Sequence, residues 1–396
     1  MEIPSDNKKC LRKSVFSVPT LVVVLVIGVI ACASFYFFGG SSKASSSLRF
    51  VSIVHRHGDR SSEISYPLDP YKGETFWPEG PGALLQRGKV NMHRLGIFLR
   101  RRYDGFIPSA YNPADVHVLS TFIDRALMSA ELVLSGLYPP VKNQIWNSDL
   151  LWQPVPVHST TPSTDDMLRV SKFCPLLRKE GEQRKICIRQ KLNEHQEFLA
   201  YLSKVTGLDV KTESDVNHIY DNLQAVDQEG LPLPEWAKDI YPDKLKVLAK
   251  IRYLEDFATP LMIKLNSGVF INELLLSMRR KIDSPKNFER RLNLYSAHDL
   301  TLVRIWHGLN ISQEITDNPP YGAALIFELH EFKDKHRIKI LYKRGSIDED
   351  PEIVHIQGCE DRQAMDPDGM CDFDVFSSAL QSVKITNFDE ECRIPR

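Results

Sequence analysis

The chain has 396 residues, 42% hydrophobic and 26% charged, with 50 Lys and Arg against 51 Asp and Glu. This is ordinary globular composition at a length beyond one typical domain, so one large domain with an insertion, or two domains, is expected. A formal net charge of −1 lacks the basic excess of a nucleic-acid binder, and a single long apolar run excludes a multi-span membrane protein.

Residues 1–17 carry Lys8, Lys9, Arg12 and Lys13 and read as a cytoplasmic tail. Val18–Phe38 has no charge and can cross a bilayer core of about 30 Å as a helix. Only Lys43 and Arg49 follow closely, so the positive-inside rule sends the rest of the chain outside the cell or into a lumen. A retained type II signal-anchor is expected over a cleaved signal peptide ending at Ala31-Cys32-Ala33, because the apolar run is too long for a signal peptide. The expected location is the lysosome, Golgi or cell surface, with secretion if the segment is cleaved. Residues 39–48 form a linker whose GGSSKASSS stretch is flexible by composition.

Of seven cysteines, Cys174, Cys187, Cys359, Cys371 and Cys392 fall in the exported body, where disulfides are expected. Five is odd, so at least one is free or pairs with another chain. Asn310-Ile311-Ser312 is a glycosylation sequon.

Arg49–Val54 reads as a buried strand ending in His55-Arg56-His57-Gly58-Asp59-Arg60. A Pro/Gly-rich loop runs to Gly82. A helix is predicted from about Ala83 to Tyr103, with Leu84, Leu85, Val90, Leu95 and Phe98 as its apolar stripe and Arg100–Arg102 as a solvated last turn. Asp115–Ser120 is a second strand and Asp124–Leu137 the helix after it; Leu292–Ser296 is a third strand, followed by a helix from Asp299. Residues 150–280 look like a mainly helical cap inserted between the second and third units. Two stretches after Tyr321 form an antiparallel hairpin. The expected fold is α/β, with a mostly parallel sheet and helices on both faces.

In such sheets ligands sit at the carboxyl ends of strands. Three polar clusters fall there: Arg56, His57 and Arg60; Arg125; and His298 with Asp299. Guanidinium forks match phosphate oxygens, and a histidine among them is placed to attack phosphorus. Each cluster alone has an ordinary reading, as a surface loop, a helix start or a helix N-terminus; their co-occurrence at three strand ends points to a phosphate monoester site. A metallohydrolase built on His55, His57, His298 and Asp299 is disfavoured by the three arginines, which repel a divalent cation. An inactive phosphate-binding ectodomain is the other rival. The remaining histidines, His218 among them, read as structural or surface residues.

The segments VSIVHRHGDRSS, STFIDRALMSA and LYSAHDLTL resemble the signatures of the histidine acid phosphatases, the superfamily branch with lysosomal and prostatic acid phosphatase and phytases. The likeness runs from about Phe50 to Cys392 and takes in LGIFLRRRY and Phe173-Cys174-Pro175. It implies a catalytic domain over residues 49–396, with His57 as the nucleophile that becomes phosphohistidine. Arg56, Arg60, Arg125 and His298 are implied as phosphoryl ligands and Asp299 as proton donor to the leaving alcohol, with no cofactor or metal and a homodimer as the assembly. It also implies Cys174–Cys392 and Cys359–Cys371 bridges. Ser62 departs from the family's proline, and Ala323 or Ala324 stands where a third bridge would have a cysteine, leaving Cys187 over. The cap and the loop from Ser61 to Gly82 are expected to set the substrate.

An unperturbed Asp is protonated in about one molecule in a thousand at pH 7 and nearer one in twelve at pH 5. Bound phosphate raises that fraction, while neighbouring arginines keep His57 neutral. The pH–rate profile for an aryl phosphate is therefore expected to peak below about pH 6; a peak above about pH 8 would contradict Asp299 as the acid.

Overall fold

The alternation of apolar residues on both faces of LRFVSIVHR makes Leu48–Arg56 (β1) a central strand rather than an edge. Phe50 and Val54 pack to one side, and Val51 and Ile53 to the other. The structure, a computed structural model, describes residues 46–170, 174–251, 257–311, 318–346, 350–355, 359 and 369–394. These all belong to the unit Ala44–Arg396. The predicted membrane segment, most of the linker, and the side chain of Cys187 lie outside the described residues.

Chain order after β1 is α1 (Gln86–Arg102), β2 (Val116–Ser120), α2 (Asp124–Leu137) and β3 (His158–Ser159). Four helices follow: α3 (Pro175–Asn193), α4 (Gln196–Thr206), α5 (Glu213–Gln228) and α6 (Asp243–Ala249). Then come α7 (Pro260–Asp283), β4 (Leu292–Ala297), α8 (Asp299–Gly308), β5 (Ala324–Phe332), β6 (Lys335–Lys343), β7 (Glu352–Ile353), β8 (Cys371–Asp372), α9 (Phe373–Ala379) and α10 (Phe388–Glu391).

The sheet runs β3-β2-β4-β1-β5-β6-β7, with β8 also on β6. It is mixed, not mostly parallel. β3, β2, β4 and β1 are parallel, whereas β5, β6, β7 and β8 pair antiparallel. The predicted hairpin is the reason, since it continues the same sheet across β1. Helices cover both faces: α1 and α2 on one, α7, α8 and α9 on the other.

Register brings the polar clusters together. His55 and Ser120 both lie opposite Ser296, so the next residues of three strands, Arg56-His57, Thr121 and Ala297-His298, emerge level at one end of the sheet.

The insertion is smaller than predicted. Helices α3–α6 build their own core around Leu192, Leu202, Val216, Ile219, Leu223 and Leu245. Helix α7, predicted to lie in the cap, instead packs Phe270, Ile271, Leu274 and Met278 on the sheet. It is apolar and long enough to cross a membrane, yet most of that apolar window is buried inside the body. Residues 158–159 add an edge strand to the body sheet as β3.

Two readings of α1 are also corrected. Its buried face is Gly88, Met92, Leu95, Gly96 and Leu99, and Val90 is exposed. A glycine-lined face brings backbones close, which an apolar count cannot reveal. The Arg100–Arg102 run is not simply solvated: Arg102 donates through Nε (3.0 Å) and Nη2 (2.8 Å) to the buried carboxylate of Glu328, which also accepts from the Tyr103 hydroxyl at 2.8 Å. Cys174 is bonded to Cys392 and Cys359 to Cys371.

A Cβ on Gly96 would stand 2.1 Å from the carbonyl oxygen of Val133, and one on Gly136 2.4 Å from that of His93. The α1–α2 contact is therefore backbone against backbone. Gly96→Ala is expected to destabilise the fold by about 1–3 kcal/mol, measured by denaturant unfolding; an unchanged midpoint would show that the helices can part without cost.

Candidate active site

The loop leaving β1 turns under α1 at a point where only glycine fits. A Cβ on Gly58 would lie 2.8 Å from both the Gly88 carbonyl oxygen and Met92 Cγ. The Gly58 amide donates to Ser129 Oγ (3.1 Å), which in turn donates to the Arg125 carbonyl (2.6 Å). Ser296 Oγ donates to the Ala126 carbonyl at 2.7 Å. These bonds fix the first turn of α2, and with it Arg125, against the ends of β1 and β4.

His57 is 2% exposed. Its amide donates to the Ala297 carbonyl (2.9 Å), and its Nδ1 lies 2.9 Å from the Gly58 carbonyl. A carbonyl can only accept, so Nδ1 carries the proton. Arg125 Nε donates to His57 Nε2 at 3.0 Å, so Nε2 presents its lone pair. Both contacts select the neutral imidazole with Nε2 toward the cleft. Burial, then the charges of Arg125, His298, Arg56 and Arg60, hold the His57 pKa well below 6.5.

His298 sits edge-on to His57, with ring centroids 5.3 Å apart, and its Nε2 is 2.9 Å from Thr121 Oγ1. Burial and Arg125 push its pKa down to about 3. Asp299 opens α8, with its Oδ2 3.8 Å from Arg56 Nη2.

The three arginines meet carboxylates. Arg60 makes a bidentate pair with Asp221 of α5, both bonds 2.9 Å. Arg125 Nη2 donates to Glu63 Oε1 at 2.6 Å, and Arg56 faces Asp299. Yet the buried Nε of Arg56 and of Arg60 have no hydrogen-bond partner among the described residues. A buried donor left unmade costs about 1–3 kcal/mol, so two such donors beside a neutral imidazole favour an oxyanion between them.

All six residues singled out from the sequence, Arg56, His57, Arg60, Arg125, His298 and Asp299, line one cleft of about 460 Å³. From the cap, α5 adds Asn217, His218, Asp221 and Gln224, and α6 adds Lys246. His218, read as structural or surface, is therefore a cleft residue. Asp221, Glu63 and Arg169 were not identified from the sequence. Asp221 lies 161 residues from Arg60, and no local spacing marks it. From the loop 61–82, Glu63 reaches the cleft. Asn310 is exposed just beyond α8, in the left-handed conformation (φ 58°) that asparagine tolerates.

His55 does not join this group. It is fully buried in the sheet interior, with Nδ1 3.1 Å from the Arg56 carbonyl. The strand's alternation sends it away from the cleft, which removes it from the metal-ligand set considered above. Among the described residues no group of three His, Cys, Asp or Glu side chains is arranged to hold a metal ion.

A family model described as histidine phosphatase superfamily (branch 2) matches residues 47–343. The chain is 33% identical over 381 residues to a lysosomal acid phosphatase of Xenopus laevis, spanning 93% of this chain and 84% of that protein. It is 34% identical over 332 residues to a prostatic acid phosphatase of Homo sapiens, spanning 82% and 84%. The fold matches that of a Hafnia alvei phytase with a TM-score of 0.63 at 18% identity, covering 89% of this chain and all of that one.

His55, His57 and His298 are buried with lowered pKa values: burial brings His55 to about 4, and the other two are described above. Unfolding frees each to bind a proton below its ordinary value of about 6.5, so stability falls as pH drops below that point. Burial alone would raise the carboxyls of Glu63 and Glu328. Arg60 and Arg125 hold the first below its usual range, and His330 and Arg102 hold the second at about 2. Their contributions are therefore lost only below about pH 4.5. Between about pH 6.5 and 4.5 the unfolding free energy is expected to decline on acidification, by up to about 1.4 kcal/mol per pH unit for each histidine. Denaturant titrations at pH 7, 6 and 5 measure this; a flat profile would mean that these imidazoles are protonated in the folded state.

Proposed function

The chain belongs to branch 2 of the histidine phosphatase superfamily, is a histidine acid phosphatase and hydrolyses phosphate monoesters. From that premise we propose that the reaction runs through a covalent phosphohistidine on His57, without a metal, with Asp299 as the proton donor. The observation that carries this reading is the hydrogen bonding of His57: Nδ1 lies against the Gly58 carbonyl, and Nε2 accepts from Arg125 Nε at the cleft.

In the first step the Nε2 lone pair forms a bond to phosphorus as the phosphorus–oxygen bond to the leaving group breaks. The departing oxygen takes the proton of the Asp299 carboxyl. Arg56, Arg60, Arg125 and His298 hold the equatorial oxygens, where charge accumulates in a loose transition state. In the second step water attacks phosphorus, the phosphorus–nitrogen bond breaks, and its electrons return to Nε2. The Asp299 carboxylate accepts the proton from water. Because burial and the arginines keep His57 uncharged in mild acid, the nucleophile and a protonated Asp299 can coexist there.

In the same reading, residues 49–396 are the catalytic domain, Val18–Phe38 is a type II anchor, and Asn310 carries a glycan. The body, as a homodimer, faces a lumen or the cell exterior. Two disulfides in the body fit an oxidising compartment.

The test is to trap the phosphoenzyme. Full-length protein is mixed at pH 5, with EDTA present, with an aryl phosphate labelled in its phosphoryl group, and quenched in alkali, where a phosphorus–nitrogen bond survives. Wild type is expected to retain label. His57→Ala is expected to retain none and to lose roughly a thousandfold or more in turnover. Asp299→Asn should still be labelled by the aryl ester, while losing about 10²–10⁴-fold with an alkyl phosphate whose poor leaving group needs the proton. Label on His57→Ala, or activity abolished by the chelator, would defeat the mechanism.

A further inference from the structure

Beyond the six residues discussed, the segment Pro319–Ala323 grips the end of β1 at several points. The Pro319 carbonyl accepts from Arg56 Nη1 at 2.7 Å. The Ala323 carbonyl accepts from the Arg56 amide at 2.8 Å, and the Gly322 amide donates to the His57 carbonyl at 3.1 Å. Gly322 makes the turn with φ +71°, a conformation that favours glycine. Between these contacts stands Tyr321, whose ring lies 3.9 Å beneath the Arg56 guanidinium carbon and 5.6 Å, centroid to centroid, from the His57 ring.

The hydroxyl of Tyr321 distinguishes it from a packing residue. The residue is 5% exposed, and its hydroxyl has no hydrogen-bond partner among the described residues. Phenylalanine would supply the same aromatic face without burying an unpaired hydroxyl, a group normally partnered when buried. Burial acts on this hydroxyl first, and then the charges of Arg60, Asp221, Arg56 and Asp299; Tyr321 itself lines an adjoining cavity with Asp59 and Arg87, which shares Pro320 and Arg344 with the cleft. Among the described residues it shares with Arg56 Nε and Arg60 Nε the condition of a buried donor without a partner. An oxyanion with several acceptor oxygens would satisfy all three.

We propose that Tyr321 is a further residue of the phosphoryl site: its ring is a shelf that fixes the Arg56 guanidinium, and its hydroxyl donates to a phosphoryl oxygen. The ring acts through a cation–π contact, stronger where water is excluded, and the hydroxyl bonds to a charged acceptor, the stronger class of hydrogen bond. This assignment rests on the phosphatase reading for the identity of the ligand.

Two variants of the full-length protein separate the shelf from the donor. Tyr321→Phe is expected to keep the wild-type melting temperature or exceed it, while its dissociation constant for inorganic phosphate and its KM for an aryl phosphate both rise roughly tenfold or more. A residue that only packs would give the opposite pattern, with stability changed and phosphate binding kept. Tyr321→Leu, lacking the aromatic face, is expected also to lose kcat, and Tyr321→Phe to restore it. Phosphate binding by Tyr321→Phe within twofold of wild type would overturn the hydroxyl's role, and full kcat in a folded Tyr321→Leu would overturn the shelf. Either result with an active wild type leaves the phosphatase reading standing, whereas a wild type that neither binds phosphate nor turns over removes both.

Discussion

The guanidinium groups of Arg56, Arg60 and Arg125 converge on a buried imidazole, and without counter-charge they would repel one another out of any shared geometry. The structure answers with one carboxylate for each, drawn from three different places: Asp299 from α8, Asp221 from the cap and Glu63 from the loop after β1. The same crowding of positive charge, added to burial, keeps His57 and His298 uncharged. A neutral imidazole therefore sits in a strongly cationic cup, the combination that the proposed phosphoryl transfer calls for. Glycines at 58 and 88 let the loop approach α1 closely enough to build that cup.

The cap shares this electrostatic requirement. Helix α5 supplies Asp221 to Arg60, and Asn222 Nδ2 donates to Asp69 Oδ2 at 2.7 Å in the loop after β1. Trp77 and Leu85 pack on Ala225 and Val226 of the same helix. The cap is thus tied through Asp221 to Arg60, a residue of the cleft. Changes in the cap can be felt at Arg60 without any residue of the sheet moving.

What could be read from the sequence follows from what is local. Arg56, His57 and Arg60 lie within five residues, and His298 and Asp299 are adjacent, so strand-end chemistry was legible there once the strands were placed. Arg125 was legible because its helix follows its strand directly. Asp221 was not, because its meaning depends on a partner 161 residues away. Nor was the sheet's composition: alternation in the hairpin reveals two antiparallel strands but not that the first of them pairs with β1. Helix α7 continues the helical texture of the cap in sequence, although Phe270, Ile271, Leu274 and Met278 place it in the main core. On α1 and the turn before it, Leu84, Leu85 and Leu95 of the anticipated stripe are buried, but Val90 is exposed, and Gly88 and Gly96 supply close contacts that a residue count cannot anticipate.

The Cys174–Cys392 bond spans 218 residues of sequence. It starts at the residue that caps α3, where the chain enters the helical insertion, and ends one residue past α10. On a chain-entropy basis a closure of that length stabilises the fold by about 5 kcal/mol. It also makes the molecule topologically a loop from the root of the cap to its tail. A single peptide cut anywhere between those cysteines would leave both fragments covalently joined, cap and His57 included. A chain nicked there would therefore remain one covalent unit until the disulfide was reduced.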